Sequence, residues 1–232
     1  TQLSTTTDGV LVTANVVALA STMTLEYVVR NDPSYSHIWN ASLVSNSAPS
    51  TLTINNSSLT TASNIQGAIT GSSGTSFVKQ GAGALILSGA NTYDGGTKVN
   101  EGILGVANNS ALGVGALSLA AATSLQTAAS AVSISNNISL LGGATINTLS
   151  GDTLSISGVV NDGGYGLVVS GQGNLTLSNT SNTISNISGS GNLGALVVKN
   201  TGALTLGSGS NGLEATTIDI QTTTGNITIA KN

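Results

Sequence analysis

The side chains that could carry acid–base or nucleophilic chemistry are few and lie far apart along the 232-residue chain. His37 is the single histidine, so a Ser-His-Asp triad would have to use it, and no G-D-S-G or G-x-S-x-G motif is present. Glycoside cleavage needs two carboxyl groups that face the same bond. No cluster is evident among the acids, which are Asp8, Glu26, Asp32, Asp94, Glu101, Asp152, Asp162, Glu214 and Asp219. The sequence therefore predicts a protein that is not an enzyme and that uses no cofactor or metal.

Charge is scarce, since only 6% of the residues are charged and the net charge is −4. Nucleic-acid binding depends on clustered Lys and Arg that neutralise phosphates. Here the five basic residues are scattered, at Arg30, Lys79, Lys98, Lys199 and Lys231. No apolar run approaches the roughly 20 residues of a membrane helix, and there is no cysteine for disulfides or thiolate metal sites. We therefore expect no nucleic-acid partner and no direct membrane insertion of this segment.

Short runs of alternating apolar and polar residues, such as Leu117–Leu119 and Thr153–Ile156, fill much of the chain. Alternation over three to five residues indicates short strands with one buried face, and glycine-rich or Asn/Asp-rich turns lie between them. A sandwich core is usually rich in aromatics, but only 3% of these residues are aromatic. Stacked coils of roughly 20–25 residues bury small aliphatic side chains instead. The pattern predicts an all-β fold, a parallel β-helix (β-solenoid).

Three segments align without gaps: Phe77–Leu87, Leu167–Leu177 and Leu196–Leu206. Each segment has a pair of apolar residues, then a turn, then an L-x-L strand. We interpret the interval from Leu167 to Leu196 as one coil with an enlarged turn. The shared positions are Gly83, Gly173 and Gly202, then Leu85 and Leu87, Leu175 and Leu177, and Leu204 and Leu206.

Residues 77–102, FVKQGAGALILSGANTYDGGTKVNEG, resemble the autotransporter-associated β-strand repeat, K-x-G-x-G-x-L-x-L-S-G-x-N-T-Y-x-G-x-T-x-V-x-x-G. The later copies depart from it, because Asn182-Thr183-Ile184 replaces Asn-Thr-Tyr and Asn200 replaces the first glycine. The matching residues are Lys79, Gly81, Gly83, Leu85, Leu87, Ser88, Gly89, Asn91, Thr92, Tyr93, Gly95, Thr97, Val99 and Gly102.

The resemblance implies a right-handed parallel β-helix passenger of a Gram-negative autotransporter, exported across the outer membrane to the cell surface or secreted. In that family the repeat is structural and is associated with secretion and folding. Asn91 is expected to hydrogen-bond turn backbone, and Tyr93 to cover a corner as an aromatic lid. Positive φ at tight corners is expected of Gly81, Gly83, Gly89, Gly95 and Gly96.

Unusual side chains concentrate between Glu26 and Pro49. One interpretation is an enlarged loop or cap that seals one end of the solenoid. The other is a recognition patch in which Tyr35 and Trp39 anchor a partner. The candidate patch comprises Tyr27, Arg30, Tyr35, His37 and Trp39.

The predicted organisation is N-terminal coils over residues 1–50, with the loop or cap at 26–49, followed by one continuous solenoid over 51–232. The predicted function is a structural or adhesive surface passenger, a stalk or adhesin segment that contacts a protein or glycan of a host or neighbouring cell. Self-association is also expected. Two alternatives stay open: a subunit of an extracellular filament whose coil ends stack, and a carbohydrate-binding or carbohydrate-active β-helix.

Overall fold

The structure is a computed structural model that describes residues 16–19, 22–27, 37–39, 42–45, 50–56, 62–207 and 213–230, the first four ranges and Ser190 as backbone only. These residues contain strands and turns and no helix. Consequently no helix in them is long and apolar enough to cross a membrane. The chain divides into two compact units, residues 1–117 and 118–232. The predicted boundary near residue 50, the cap and the continuity of the solenoid stay predictions.

The first unit is built from parallel strands. Its three sheets have the orders β1-β4-β7, β2-β5-β8-β10 and β3-β6-β9-β11, once the strands are numbered along the chain. The strands are β1 Val16–Leu19, β2 Thr22–Tyr27, β3 His37–Trp39, β4 Ser42–Ser45, β5 Thr51–Asn56, β6 Ser63–Ile65, β7 Ile69–Gly71, β8 Ser76–Gln80, β9 Ala84–Leu87, β10 Thr97–Val99 and β11 Ile103–Val106.

The second unit repeats this construction. From Leu117 onward the strands are β12 Leu117–Leu119, β13 Ser124–Thr127, β14 Ala131–Ile134, β15 Ile138–Leu140, β16 Ala144–Thr148, β17 Thr153–Ile156, β18 Val160–Asn161, β19 Leu167–Gly171, β20 Asn174–Leu177, β21 Asn186–Ser190, β22 Asn192–Asn200, β23 Leu204–Leu206, β24 Glu214–Thr222 and β25 Ile227–Ile229. They form parallel sheets of order β13-β16-β19-β21-β23-β25, β14-β17-β20-β22-β24 and β12-β15-β18.

Each strand pairs with the strand one coil away, and many of the side-chain hydrogen bonds between coils join residues 20 to 23 apart in sequence. This is the stacked-coil arrangement of a parallel β-helix, which confirms the predicted fold class. The right-handed winding that the resemblance implies stays a prediction.

In-register aliphatic stacks form the core. Val132, Leu154, Leu175 and Leu196 are paired from coil to coil and are all buried. Period-2 alternation places them on the inner face of their strands, with polar residues such as Ser155 between them. Burying each such side chain stabilises the fold by about 1.5–3 kcal/mol, so the stack selects the register.

The interpretation of Leu167 and Leu196 as one coil apart is wrong. Leu167 pairs with Ile187 in the sheet of β19, whereas Leu196 pairs with Leu175 in the sheet of β22. The aligned segments therefore lie on different faces, and Leu175 and Leu177 do not stack on Leu204 and Leu206. What recurs is a strand, a corner and a second strand, because the corner glycines and the flanking alternation impose the same local geometry wherever the coil bends.

Candidate functional site

The repeat segment that resembles the autotransporter pattern forms β8 to β10 of the first unit, and its lysine lies inside the coil. Lys79 is fully buried, and its Nζ donates to the carbonyl oxygens of Gln80 (3.1 Å), Gly81 (2.6 Å) and Glu101 (3.0 Å). Burial lowers the pKa of Lys79 to about 8, against the opposing effect of the Glu101 charge. The side chain thus ties together the corners of two consecutive coils.

Asn91 fastens its own coil to both neighbours. It is buried, its Oδ1 accepts from the Ile69 amide at 2.8 Å, and its Nδ2 donates to the Ala111 carbonyl. Ile69 begins β7 and Ala111 lies in a turn, and buried backbone groups at such positions need a partner. The expectation that Asn91 bonds turn backbone is confirmed.

Tyr93 is fully buried rather than lying over the surface as a lid. Its ring stacks on Phe77, with centroids 6.0 Å apart. Thr97 Oγ1 donates to the Leu112 carbonyl at 3.2 Å, so the 2.6 Å contact between the Tyr93 hydroxyl and Thr97 Oγ1 has the tyrosine as donor. Burial raises the pKa of Tyr93 above its usual range, and the hydroxyl stays protonated.

The glycines of the repeat serve two different purposes. Gly81 (φ 76°) and Gly96 (φ 89°) adopt the expected positive φ, but that expectation is wrong for Gly83, Gly89 and Gly95, whose φ values lie outside the left-handed region. At Gly89 the requirement is space, since a Cβ would lie 2.3 Å from the carbonyl oxygen of Gly67 on the preceding coil.

The second copy keeps the role of the asparagine despite its altered sequence. Asn182 Oδ1 accepts from the Val160 amide at 2.7 Å, and its Nδ2 donates to the Lys199 carbonyl at 2.8 Å. In the third copy, Asn200 accepts from the Ile184 amide (2.9 Å) and donates to the Ile184 carbonyl (3.0 Å).

Sequence reasoning missed Asn56 and the role of Asn200. Both are fully buried at a strand end, and Asn56 Nδ2 donates to the Ala84 carbonyl at 2.7 Å. The available signal was an asparagine at an inward position of an alternating strand, immediately before the turn.

Asp94 and Asp162, each followed by a glycine, bind backbone amides in turns. Asp94 Oδ1 accepts from the Gly74 amide at 2.7 Å. Asp162 Oδ1 accepts from the Gly164 amide at 2.9 Å, and its Oδ2 accepts from the amide and the hydroxyl of Ser185 at 2.7 and 2.6 Å. Within the described residues, no three His, Cys, Asp or Glu side chains lie close enough together to hold a metal ion.

The candidate patch near the N-terminus is only partly described. Tyr27 ends β2 and pairs in register with Asn56, while His37 and Trp39 in β3 pair with Ser63 and Ile65. Arg30 and Tyr35 lie outside the described residues. The patch therefore stays a prediction, although its three described members lie in strands of the coil stack.

Parallel stacked coils, fastened in this segment by the buried side chains of Lys79, Asn91 and Tyr93, define the class of the fold, a parallel β-solenoid. A family described as Passenger-associated-transport-repeat matches residues 77–106, the segment whose corner contacts are given above. The chain is also 39% identical over 125 residues to the Adhesin BmaC autotransporter of Brucella suis biovar 1 (strain 1330), a match that covers 53% of this chain and 4% of that relative.

The two matches confirm the predicted resemblance to autotransporter passengers with transport repeats, a class that is exported across the outer membrane to the cell surface. The chain spans only a small part of the length of the adhesin it matches. No solved structure gives a significant match.

Proposed function

We propose that the chain is a non-catalytic, adhesive part of a surface passenger, whose coils display binding side chains away from the cell. The observation that carries the proposal is the 39% identity, over about half of the chain, to a protein named an adhesin. The repeat family found in residues 77–106 supports the same function.

The placement of the reactive side chains supports a non-catalytic function. Lys79, Tyr93 and Asp162 are buried and bound to groups of the same or a neighbouring coil. Side chains held in this way stabilise the fold and do not face a substrate. Many outward positions of the strands are instead uncharged, as at Ser155 and Thr176, and such side chains suit contact more than proton transfer.

Surface display tests adhesion directly. The chain is fused to an autotransporter translocator in a non-adherent laboratory bacterium, and attachment to cultured epithelial cells and to immobilised matrix proteins is counted. The control is the translocator carrying an unrelated β-helix of equal length. Attachment above this control is expected. Equal attachment, with surface exposure verified by antibody, would overturn the proposal.

Self-association is a second candidate, favoured by the exposure of core positions on β24 and β25. Ile218 is in register with Leu196, and Ile227 and Ile229 are in register with Leu204 and Leu206. They continue the aliphatic stacks, yet they are 44%, 43% and 78% exposed. Exposed edge strands accept further strands, so a second copy would cover this face. Sedimentation over a concentration series is expected to reveal assembly that Ile229→Lys suppresses, and a monomer at every concentration would contradict it.

A further inference from the structure

One corner of the second unit exposes two large apolar side chains on neighbouring coils. It lies where β15 and β18 lead into β16 and β19. Tyr165 is 60% exposed and Leu141 is 55% exposed. An exposed tyrosine offers a flat, amphipathic contact area with little conformational freedom to lose on binding.

Hydrogen bonds to Asp162 fix the turn that carries Tyr165. The Tyr165 amide donates to the Asp162 carbonyl at 3.0 Å, and the Asp162 carboxylate binds Gly164 and Ser185. The ring itself lies against Gly163, since a Cβ on that glycine would be 3.2 Å from both Cδ2 and Cε2 of the tyrosine. The ring is therefore pre-positioned, which lowers the entropic cost of binding.

Space for a ligand adjoins the ring. Apart from its chain neighbours, a Cβ added at Gly164 or at Gly143 would meet no atom within 4 Å. The backbone next to Tyr165 and Leu141 is thus open to solvent, and a flat molecule can approach it without displacing a side chain.

A row of hydrogen-bonding side chains runs beside this apolar pair. Ser139, Asn161 and Thr183 are paired in register on three consecutive coils, which spaces them by about 4.8 Å. Asn161 and Thr183 are exposed, and Asn161 is oriented by a 2.9 Å bond from the Gly163 amide to its Oδ1. Its Nδ2 and the two hydroxyl groups can bond to groups on a ligand that lies on the ring.

The corner carries no accessible charge. Across residues 137–143, 159–166 and 181–185 the single charged side chain is Asp162, which is buried and whose two oxygens are occupied by Gly164 and Ser185. A ligand that matches an aromatic face, a row of hydroxyl and amide groups and no charge is itself neutral, apolar on one face and rich in hydroxyl groups. Those are the properties of a pyranose ring.

We propose that this corner is a glycan-binding site, in which Tyr165 stacks on the apolar face of a neutral sugar and Asn161, with Ser139 and Thr183, binds its hydroxyl groups. The site would supply one contact of the adhesive function, and so rests on the function proposed above. It lies elsewhere in the sequence than the aromatic residues between Glu26 and Pro49.

The test uses the purified full chain on immobilised neutral oligosaccharides: glucans, galactans and mannans of two to eight sugars. Binding to at least one of them is expected. Tyr165→Ala should weaken it about tenfold or more, as loss of a stacked aromatic anchor does, while Tyr165→Phe stays within about threefold. Val114→Ala, at another highly exposed apolar residue, is the matched control and should change nothing. No binding to any sugar, or equal binding by Tyr165→Ala, overturns the site.

Display of the same variants separates this proposal from the adhesive function. Attachment to cells that persists in Tyr165→Ala, with no sugar bound in the array, retains adhesion and rejects the glycan site. Attachment that requires Tyr165 but survives removal of cell-surface glycans identifies a protein partner, and also rejects it. Sugar binding without attachment to any cell retains the site and rejects the adhesive function.

Discussion

Asn182 makes the same pair of inter-coil hydrogen bonds as Asn91. Each side-chain oxygen accepts from the amide 22 residues earlier, and each side-chain nitrogen donates to a carbonyl on the other side, at Ala111 and at Lys199. The two sites belong to different units and differ in the residue two positions later, Tyr93 in one and Ile184 in the other. The element of the repeat that persists is therefore the asparagine side chain, whose oxygen and nitrogen bond to backbone groups of the two neighbouring coils.

Replacing Asn91 with alanine should destabilise the protein strongly. The Ile69 amide and the Ala111 carbonyl would be left buried without partners, and each such group costs about 1–3 kcal/mol. A loss of about 2–5 kcal/mol in the free energy of unfolding is expected in urea denaturation. Asn137→Ala is the matched control, because Asn137 makes a similar 2.9 Å bond to the Val159 amide at an exposed position. Equal losses in both variants would contradict the role of burial.

The Tyr93 hydroxyl and ring should contribute separately. Tyr93→Phe removes only the bond to Thr97 and should cost about 0.5–1.5 kcal/mol, whereas Tyr93→Ala should cost about 3–5 kcal/mol, because it leaves a cavity against Phe77. Tyr165→Ala, at the exposed tyrosine, should change stability by less than about 0.5 kcal/mol. Guanidinium unfolding of the three variants measures this, and a similar loss at both tyrosines would show that Tyr93 is not buried.

Lys79 should make stability rise with pH in the alkaline range. Its pKa is about 8 in the folded protein and 10.5 in the unfolded chain, so between these values the unfolded state binds the extra proton. Deprotonation therefore favours folding as pH increases from about 8 to 10.5. Lys79→Met lacks this linkage. The unfolding free energy of the wild type minus that of Lys79→Met is expected to increase with pH over this interval. A difference that stays constant with pH would contradict the prediction.

Gly89 should not tolerate a methyl group. An alanine Cβ would lie 2.3 Å from the Gly67 carbonyl oxygen, and the backbone of one coil would have to move. Gly89→Ala is expected to lower the free energy of unfolding by about 1–3 kcal/mol, as overpacking does. Gly143→Ala has open space around its Cβ and should be neutral. Urea midpoints of the two variants measure the contrast, and a neutral Gly89→Ala would mean that the coils are farther apart at this corner.

The sequence was sufficient to predict strands, turns and stacked coils, because inward positions such as Leu154 and Leu175 alternate with polar ones and the Asp162 turn is marked by glycines. The coil register was not predictable from repeat alignment, since similar corners occur between different pairs of faces, as at Leu167 and Leu196. The exposed corner at Tyr165 was also missed. Its exposure depends on which residues of the neighbouring coils lie beside it, and that requires the register.

Disulfide trapping tests the register of the stacked coils most directly, because the chain has no native cysteine. Ser155 and Thr176 are in-register partners on adjacent coils, at about the 4.8 Å strand spacing, which is within the range that a disulfide bridges. Val168 and Val197 are matched by repeat alignment but lie in different sheets. The double variant Ser155→Cys/Thr176→Cys is expected to cross-link within one molecule under mild oxidation, and Val168→Cys/Val197→Cys is not. Cross-linking of the valine pair, with none at the Ser155 pair, would contradict the coil arrangement described here.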